Sequence, residues 1–227
     1  AHNNRSLIYG SQGNAELQIV EYTKAIALNP SALYYGNRGL AYRKLKKYDL
    51  ALKDVNKAID LDKEDLRFFQ WRGFIYEGMG DYENALSSYS TIINIDDDPN
   101  NYFSNFKRRA ECYIAAKNYN LALQDFTKLV ELDPTNPRRY FYRTKAYFFL
   151  GYLDLELQDY NTAIDLDNEH YYLYFWRADY YERIGDMEKA LLDYNKLLKL
   201  NNLFVSGYKA RSEYFLNIKK YDKALID

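Results

Sequence analysis

The sequence predicts an all-α protein, an α-solenoid of helix pairs, and two regularities carry that expectation. Arginines stand at Arg5, Arg38, Arg72, Arg109, Arg143, Arg177 and Arg211, with steps of 33, 34, 37, 34, 34 and 34 residues. Sixteen residues after each comes an acid, Glu21, Asp54, Asp125, Asp159, Asp193 or Asp227; only Ser88, after Arg72, breaks the rule. A paired period of this length marks one small supersecondary unit repeated seven times. Each unit then touches mainly its neighbours, so repetition overrides the single core that 227 residues could otherwise form.

The first helix of each unit is read from the columns around the arginine. One residue later the side chain is small, as at Gly39, Gly73, Ala110, Thr144 and Ala178. Four residues later stands a ring (Tyr9, Tyr42, Tyr76, Tyr113, Tyr147, Tyr181, Phe215), and three before it another, from Tyr35 and Phe69 to Tyr208. Spacings of three and four place these residues on one helical face. A break follows at Gly13, Gly80, Gly151 and Gly185, or at the polar pairs beginning Lys46, Lys117 and Lys219. A second amphipathic helix runs through Ala51, Val55, Ala58 and Leu61 in one unit and through Ala190, Tyr194, Leu197 and Leu200 in another. It stops near Asn29-Pro30 or Asp133-Pro134, because proline cannot continue a helix and restrains its predecessor. The small residues let the two helices approach closely, and the aromatics fill the space around that contact.

These columns resemble the tetratricopeptide repeat, a 34-residue helical hairpin. Residues 32–65 show its pattern as Tyr35, Gly39, Tyr42, Ala51, Val55 and Ala58, with Lys63 where the family has proline. The resemblance covers essentially the whole chain and implies a right-handed α-α superhelix of antiparallel helix pairs. The units expected are 1–31, 32–65, 66–99, 103–136, 137–170, 171–204 and 205–227. The register places residue 1 and residue 227 inside helices, so the chain is expected to be a segment of a longer protein, truncated at both ends. Pentatricopeptide RNA-binding repeats have a similar hairpin, but their unit is longer and their character basic.

Two departures stand out. Asn100, Asn101 and Tyr102 are expected to lengthen the connection between the third and fourth units, after the acids at residues 96–98. A calcium site there lacks the spaced glycine and terminal glutamate. In the fifth unit Glu156 stands where alanine occurs in five others, facing Thr144. A carboxylate at a close helix crossing must be paired or displaced outward, so this unit is expected to be splayed or locally repacked.

Composition narrows the function. Basic and acidic residues number 31 and 32, giving a net charge of −1, so there is no electrostatic footprint for nucleic acid or an anionic membrane. No apolar run is long enough to span a bilayer. The lone Cys112 excludes an internal disulfide framework and points to a reducing, intracellular and cytoplasmic setting, to which the family resemblance adds cytoskeletal or ciliary scaffolds. The two histidines, His2 and His170, fall in different units without clustered ligands, no phosphate loop is present, and no catalytic constellation can be assembled. No enzyme activity, metal or cofactor is expected, and Cys112 is read as a buried inert thiol.

The recurring pairs Arg38–Asp54, Arg109–Asp125, Arg143–Asp159, Arg177–Asp193 and Arg211–Asp227 are read as structural ion pairs, since a functional site would single out one or two units. Arg72, lacking its acid, is a candidate for an external carboxylate or for recruitment by Glu77 or Glu83. The family resemblance implies a concave groove lined by first-helix positions. These map to Arg67, Gln70, Phe74 and Lys107, and to Arg138, Phe141, Lys145, Phe148, Phe149, Tyr172, Phe175 and Asp179. The family's lysine–asparagine clamp for a C-terminal carboxylate is not matched, because those positions read Gly36, Leu40, Lys44 and Gln70, Phe74, Gly78. The expected function is a non-enzymatic protein–protein interaction scaffold receiving an extended or helical partner segment in the groove. The alternative is a building element of a large assembly that uses the convex face and the solenoid ends.

Overall fold

The computed structural model describes residues 2–95 and 99–227. Among them are fourteen α-helices and no strand: α1 (His2–Ser11), α2 (Ala15–Leu28), α3 (Ala32–Lys44), α4 (Tyr48–Leu61), α5 (Leu66–Met79), α6 (Tyr82–Ile95), α7 (Pro99–Ala115), α8 (Tyr119–Leu132), α9 (Pro137–Leu150), α10 (Leu153–Leu166), α11 (Tyr171–Arg183), α12 (Met187–Leu200), α13 (Val205–Asn217) and α14 (Tyr221–Ile226). None is long and apolar enough to cross a membrane. The chain divides into two compact units, residues 1–125 and 126–227. In the first, α1 packs on α2, α3 on α4 and α5 on α6, and each pair also touches the next helix. In the second α9 packs on α10, α11 on α12 and α13 on α14, and the first two pairs also touch the next helix.

Every turn inside a hairpin is closed in the same way. The residue eight after the arginine is left-handed: Gly13, Gly80, Gly151 and Gly185 at φ 72 to 82°, and Lys46, Lys117 and Lys219 at φ 56 to 60°. The next residue's N–H then reaches back to the aromatic carbonyl four after the arginine, as in Lys47 to Tyr42 (2.9 Å), Asp81 to Tyr76 (2.9 Å) and Asp186 to Tyr181 (2.8 Å). This is the Schellman closure, which satisfies carbonyls that a helix end otherwise leaves bare. Side-chain caps start several helices: Asn14 accepts from Leu17 N–H, Ser31 from Tyr34 N–H and Asp186 from Lys189 N–H.

Close helix approach explains the small column. A β-carbon on Gly39 would come within 2.7 Å of Val55 Cγ2 and 3.0 Å of the Ala51 carbonyl. The alanines opposite, Ala51, Ala85, Ala122 and Ala190, are fully buried. The core of the second unit is ring-rich, with Tyr160, Tyr174, Tyr180, Tyr181 and Tyr194 around Ala163, Ala178 and Leu197.

One sequence expectation is corrected. Asn100, Asn101 and Tyr102 do not lengthen a loop; they belong to α7, which starts at Pro99 and runs 17 residues where the other first helices that follow a turn have 13 or 14. Proline at the first helical position loses no hydrogen bond and its fixed φ suits the helix, so the inserted residues extend the helix backwards. Residues 96–98, where calcium was weighed, lie outside the described residues.

Candidate functional site

The arginine column joins the two helices of its hairpins through paired bonds. Arg38 Nε donates to Asp54 Oδ2 at 2.6 Å and its Nη2 to Oδ1 at 2.8 Å. The same two-pronged contact joins Arg109 to Asp125 (2.8 and 2.7 Å), Arg143 to Asp159 (2.7 and 2.7 Å) and Arg177 to Asp193 (2.8 and 2.7 Å), and Arg211 to Asp227. Charge-assisted, bidentate bonds of this kind are the strong class. The third nitrogen reaches back to the preceding hairpin, Arg38 to Thr23 (3.0 Å), Arg177 to Asn161 (2.8 Å) and Arg211 to Asn195 (2.7 Å). The aspartates Asp54, Asp125, Asp159 and Asp193 are buried. Burial raises the Asp125 and Asp159 carboxyls above the usual carboxylate range, with the facing guanidinium pulling the other way.

The aromatic columns have a role that the spacing alone did not disclose. At Arg38, Arg109, Arg143 and Arg177 the ring three before and the ring four after bracket the guanidinium, as with Tyr35 and Tyr42 at 5.6 and 5.9 Å from Arg38, Tyr140 and Tyr147 at 5.7 and 5.5 Å from Arg143, and Tyr174 and Tyr181 at 5.7 and 5.9 Å from Arg177. The rings attract the cation and shield it, so they serve the ion pair as well as the packing.

The third hairpin departs from this pattern. Arg72 Nε donates to Ser88 Oγ at 3.1 Å and its guanidinium lies 5.2 Å from the Phe69 ring, with no carboxylate beside it among the described residues. Burial accordingly lowers its pKa from the ordinary arginine value. Recruitment by Glu77 does not occur, because Glu77 accepts from Tyr89 Oη (2.6 Å) and Arg108 Nη1 (3.1 Å). Cys112 also faces Glu77, and burial together with that charge pushes its thiol up to about 12, which keeps it protonated at neutral pH.

The groove candidates of the first unit are engaged by their own surroundings. Arg67 pairs with Asp65 (2.6 Å), Gln70 donates to Asn105 (3.2 Å), Lys107 pairs with Glu111 (3.3 Å), and Phe74 lies beneath the Arg108 guanidinium at 4.1 Å.

Those of the second unit fall into three settings. Phe141, Lys145, Phe148, Phe149 and Asp179 line one pocket of about 450 Å³ between α9, α10 and α11. Arg138 and Tyr172, with Phe141 again, border a smaller pocket of about 180 Å³. Phe175 is packed inward, half-buried, against Phe204 at 5.3 Å and Trp176 at 5.5 Å. Phe148 and Phe149 meet edge to face at 5.0 Å and remain 44% and 46% exposed.

The larger pocket holds the fifth hairpin's anomaly. Glu156 is 1% exposed, as deeply placed as the alanines of its column, and α9 stays packed on α10. The carboxylate is therefore not displaced, and the splaying expected as one option is not seen; the repacking is local. Arg183 of α11 donates through Nη2 to Glu156 Oε1, while its Nε contacts Asp179 at 3.3 Å and its guanidinium covers the Phe148 ring at 4.6 Å. Glu156 Oε2 is buried without a hydrogen-bond partner. Burial raises the Glu156 carboxyl above its ordinary value, and Arg183 opposes that shift. Burial likewise raises the neighbouring Tyr160 phenol. Trp176, which the sequence columns did not single out, forms another wall of this pocket; its place three before Asp179 and seven before Arg183 on one helix was the available signal.

Comparison with known proteins places this architecture. Two models of the tetratricopeptide repeat match the chain, one over residues 32–65 and the other over residues 1–31, 66–99, 108–136 and 171–202. Small glutamine-rich tetratricopeptide repeat-containing protein 2 of Saccharomyces cerevisiae is 40% identical over 84 residues, 37% of this chain and 24% of that protein. Serine/threonine-protein phosphatase 5 of Homo sapiens is 41% identical over 75 residues, 33% of this chain and 15% of that protein. Hsc70-interacting protein 1 of Drosophila melanogaster is 35% identical over 91 residues, 40% of this chain and 24% of that protein. The matched stretch thus spans about a quarter or less of these relatives. A tetratricopeptide repeat protein from Parabacteroides merdae has the same fold with a TM-score of 0.75 at 22% identity, covering 99% of this chain and 88% of that one. A repeat protein from Cytophaga hutchinsonii follows at 0.73 and 19% identity, covering 92% of this chain and 85% of that one. With its helical hairpins, its repeated columns and these matches, the chain belongs to the tetratricopeptide repeat family.

Proposed function

We propose that the chain is a non-enzymatic protein–protein interaction scaffold, and that its second compact unit takes a segment of a partner protein on the face formed by α9 and α11. Family membership supports the general role, as do relatives whose names describe interaction with other proteins, such as the Hsc70-interacting protein. The observation that carries the location is a set of rings left open around one pocket: Phe148, Phe149 and Trp176, the last 37% exposed. Open aromatics around a concavity are the usual composition of a binding hot spot. In the first unit the corresponding side chains are occupied by internal ion pairs and hydrogen bonds, so they offer less for a partner to engage.

Site-specific photo-cross-linking in the full-length protein tests this. A photo-reactive phenylalanine analogue at position 149 should label one partner segment reproducibly, and Phe148→Ala with Trp176→Ala should abolish the labelling while helicity by circular dichroism is retained. The same analogue at position 192, an exposed leucine of α12, should remain unlabelled. Labelling at 192 and none at 149 would refute the groove and favour a building element of an assembly that uses the other face.

A further inference from the structure

The third hairpin keeps the cation of the arginine column and replaces its anion by a hydroxyl. In the hairpins of Arg38, Arg109, Arg143 and Arg177 one aspartate takes both Nε and Nη2, the latter at 2.7 or 2.8 Å. In those of Arg38, Arg109 and Arg177 the remaining Nη1 reaches the preceding hairpin, at Thr23, Ser90 or Asn161 (2.8 to 3.1 Å). Arg72 keeps only the first of these bonds, from Nε to Ser88 Oγ at 3.1 Å. Asn56, exposed on α4, stands in the column of Thr23 and Asn161 without bonding it. Ser88 has no hydrogen to spare for a ligand, because its hydroxyl donates to the Asn84 carbonyl at 2.9 Å.

The two Nη nitrogens are therefore free donors, and they are open to solvent. The guanidinium nitrogens that are sealed without a partner are Arg43 Nε and Arg139 Nε, not those of Arg72. The rest of the surroundings carries no negative charge: Phe69 lies 5.2 Å away, and burial depresses the guanidinium without a neighbouring acid to oppose it. A half-buried cation of this kind gains from an anion that brings its own acceptors.

We propose that Arg72 is a binding site for a small monocarboxylate ion, held end-on by Nη1 and Nη2 at the hairpin crossing of α5 and α6. Two parallel donors in one plane match the two oxygens of a carboxylate, whereas a halide offers one acceptor. A single negative charge balances the one positive charge, and a divalent anion would leave an excess beside the Phe69 ring. The equivalent arginines are only 16 to 18% exposed between their two helices, so the crossing suits an ion of a few atoms and not an acidic side chain carried on a partner's backbone.

Formate is the probe, exchanged for chloride at constant ionic strength in the full chain, with the arginine Nε–H resonances read by NMR. The Arg72 resonance, assigned by its loss in Arg72→Lys, should move along a saturable curve with a midpoint in the millimolar range. Those of Arg38, Arg109, Arg143 and Arg177, already held by aspartate, should stay in place. Ser88→Asp puts a carboxylate on Nη2 and should abolish the saturable shift with helicity by circular dichroism retained. In thermal unfolding, formate in place of chloride should raise the Tm of the wild type more than that of Ser88→Asp, and general salt effects, common to both, cancel in the comparison. An Arg72 resonance that stays put or drifts without saturating means an arginine that is hydrated only, and would overturn the site. Equal movement of all the column arginines, an equal response to chloride titrated alone, or a saturable shift that survives Ser88→Asp would overturn it as well.

Discussion

Ser88→Asp supplies the acid that the third hairpin lacks, and its effect can be worked from the neighbouring hairpins. In the wild type Arg72 makes one bond, to the neutral hydroxyl of Ser88 at 3.1 Å, and burial disfavours its charge. The equivalent arginines each make two charge-assisted bonds, at 2.6 to 2.8 Å for Arg38, Arg109, Arg143 and Arg177. Two such bonds are worth roughly 1.5–3 kcal/mol each against about 1.5 kcal/mol for the single bond to an uncharged hydroxyl that they replace. Desolvating the new carboxylate offsets several kcal/mol, but the arginine's desolvation is already incurred, so a net gain of about 1–2 kcal/mol is expected. For a chain of this size that corresponds to a rise in Tm of roughly 2–8 °C. Chemical and thermal denaturation of the wild type, Ser88→Asp, Arg72→Leu and the double variant measure the coupling. In the Arg72→Leu background the new aspartate would be a buried lone charge and should destabilise by about 3 kcal/mol. Destabilisation of the wild type by Ser88→Asp, or the same effect in both backgrounds, would refute the view that these pairs hold the hairpins closed.

The converse change, Asp159→Ser, leaves Arg143 bracketed by rings but without its acid; because that arginine is 17% exposed the loss should be about 2–3 kcal/mol in urea unfolding, short of a fully buried pair. Lys46→Gly removes the β-carbon from a residue at φ 56° and should raise Tm, by up to about 1 kcal/mol of stability after the extra freedom of the unfolded glycine is subtracted. Glu156 has a raised carboxyl value in the folded state, so the native protein binds the extra proton and the sign follows: its contribution is full below the unfolded value of about 4.3 and is lost as pH rises through the raised folded value. The stability difference between wild type and Glu156→Ala should therefore shift against the wild type above about pH 4.3, with a slope no steeper than roughly 1.4 kcal/mol per pH unit; a flat difference between about pH 4 and 7 would contradict it.

What could be read from the residues and what could not divide along a physical line. Interactions confined to one period were legible: the arginine and its acid, the small residue at the crossing, and the turn at which Gly13 and Lys46 occupy the same left-handed position. Each is fixed by local helix geometry, which repeats whenever the sequence does. The ring columns were legible as positions but not as partners, because spacing places Tyr35 and Tyr42 on a face without saying that a guanidinium lies between them. The insertion at Asn100–Tyr102 lengthens a helix rather than a connection because Pro99 begins that helix, and proline stops a helix that precedes it but starts one that follows. Glu156 marks the limit most clearly. Sequence required the carboxylate to be paired or expelled, but its partner, Arg183, is 27 residues away in the next hairpin, a separation matching neither the 34-residue step nor the 16-residue pairing. Contacts that obey the period close hairpins and must recur, so they cannot distinguish one hairpin from another. Selectivity for a partner has to come from side chains that break the period, and in the second unit Glu156, Thr144 and Arg183 meet in one cavity with open rings around them.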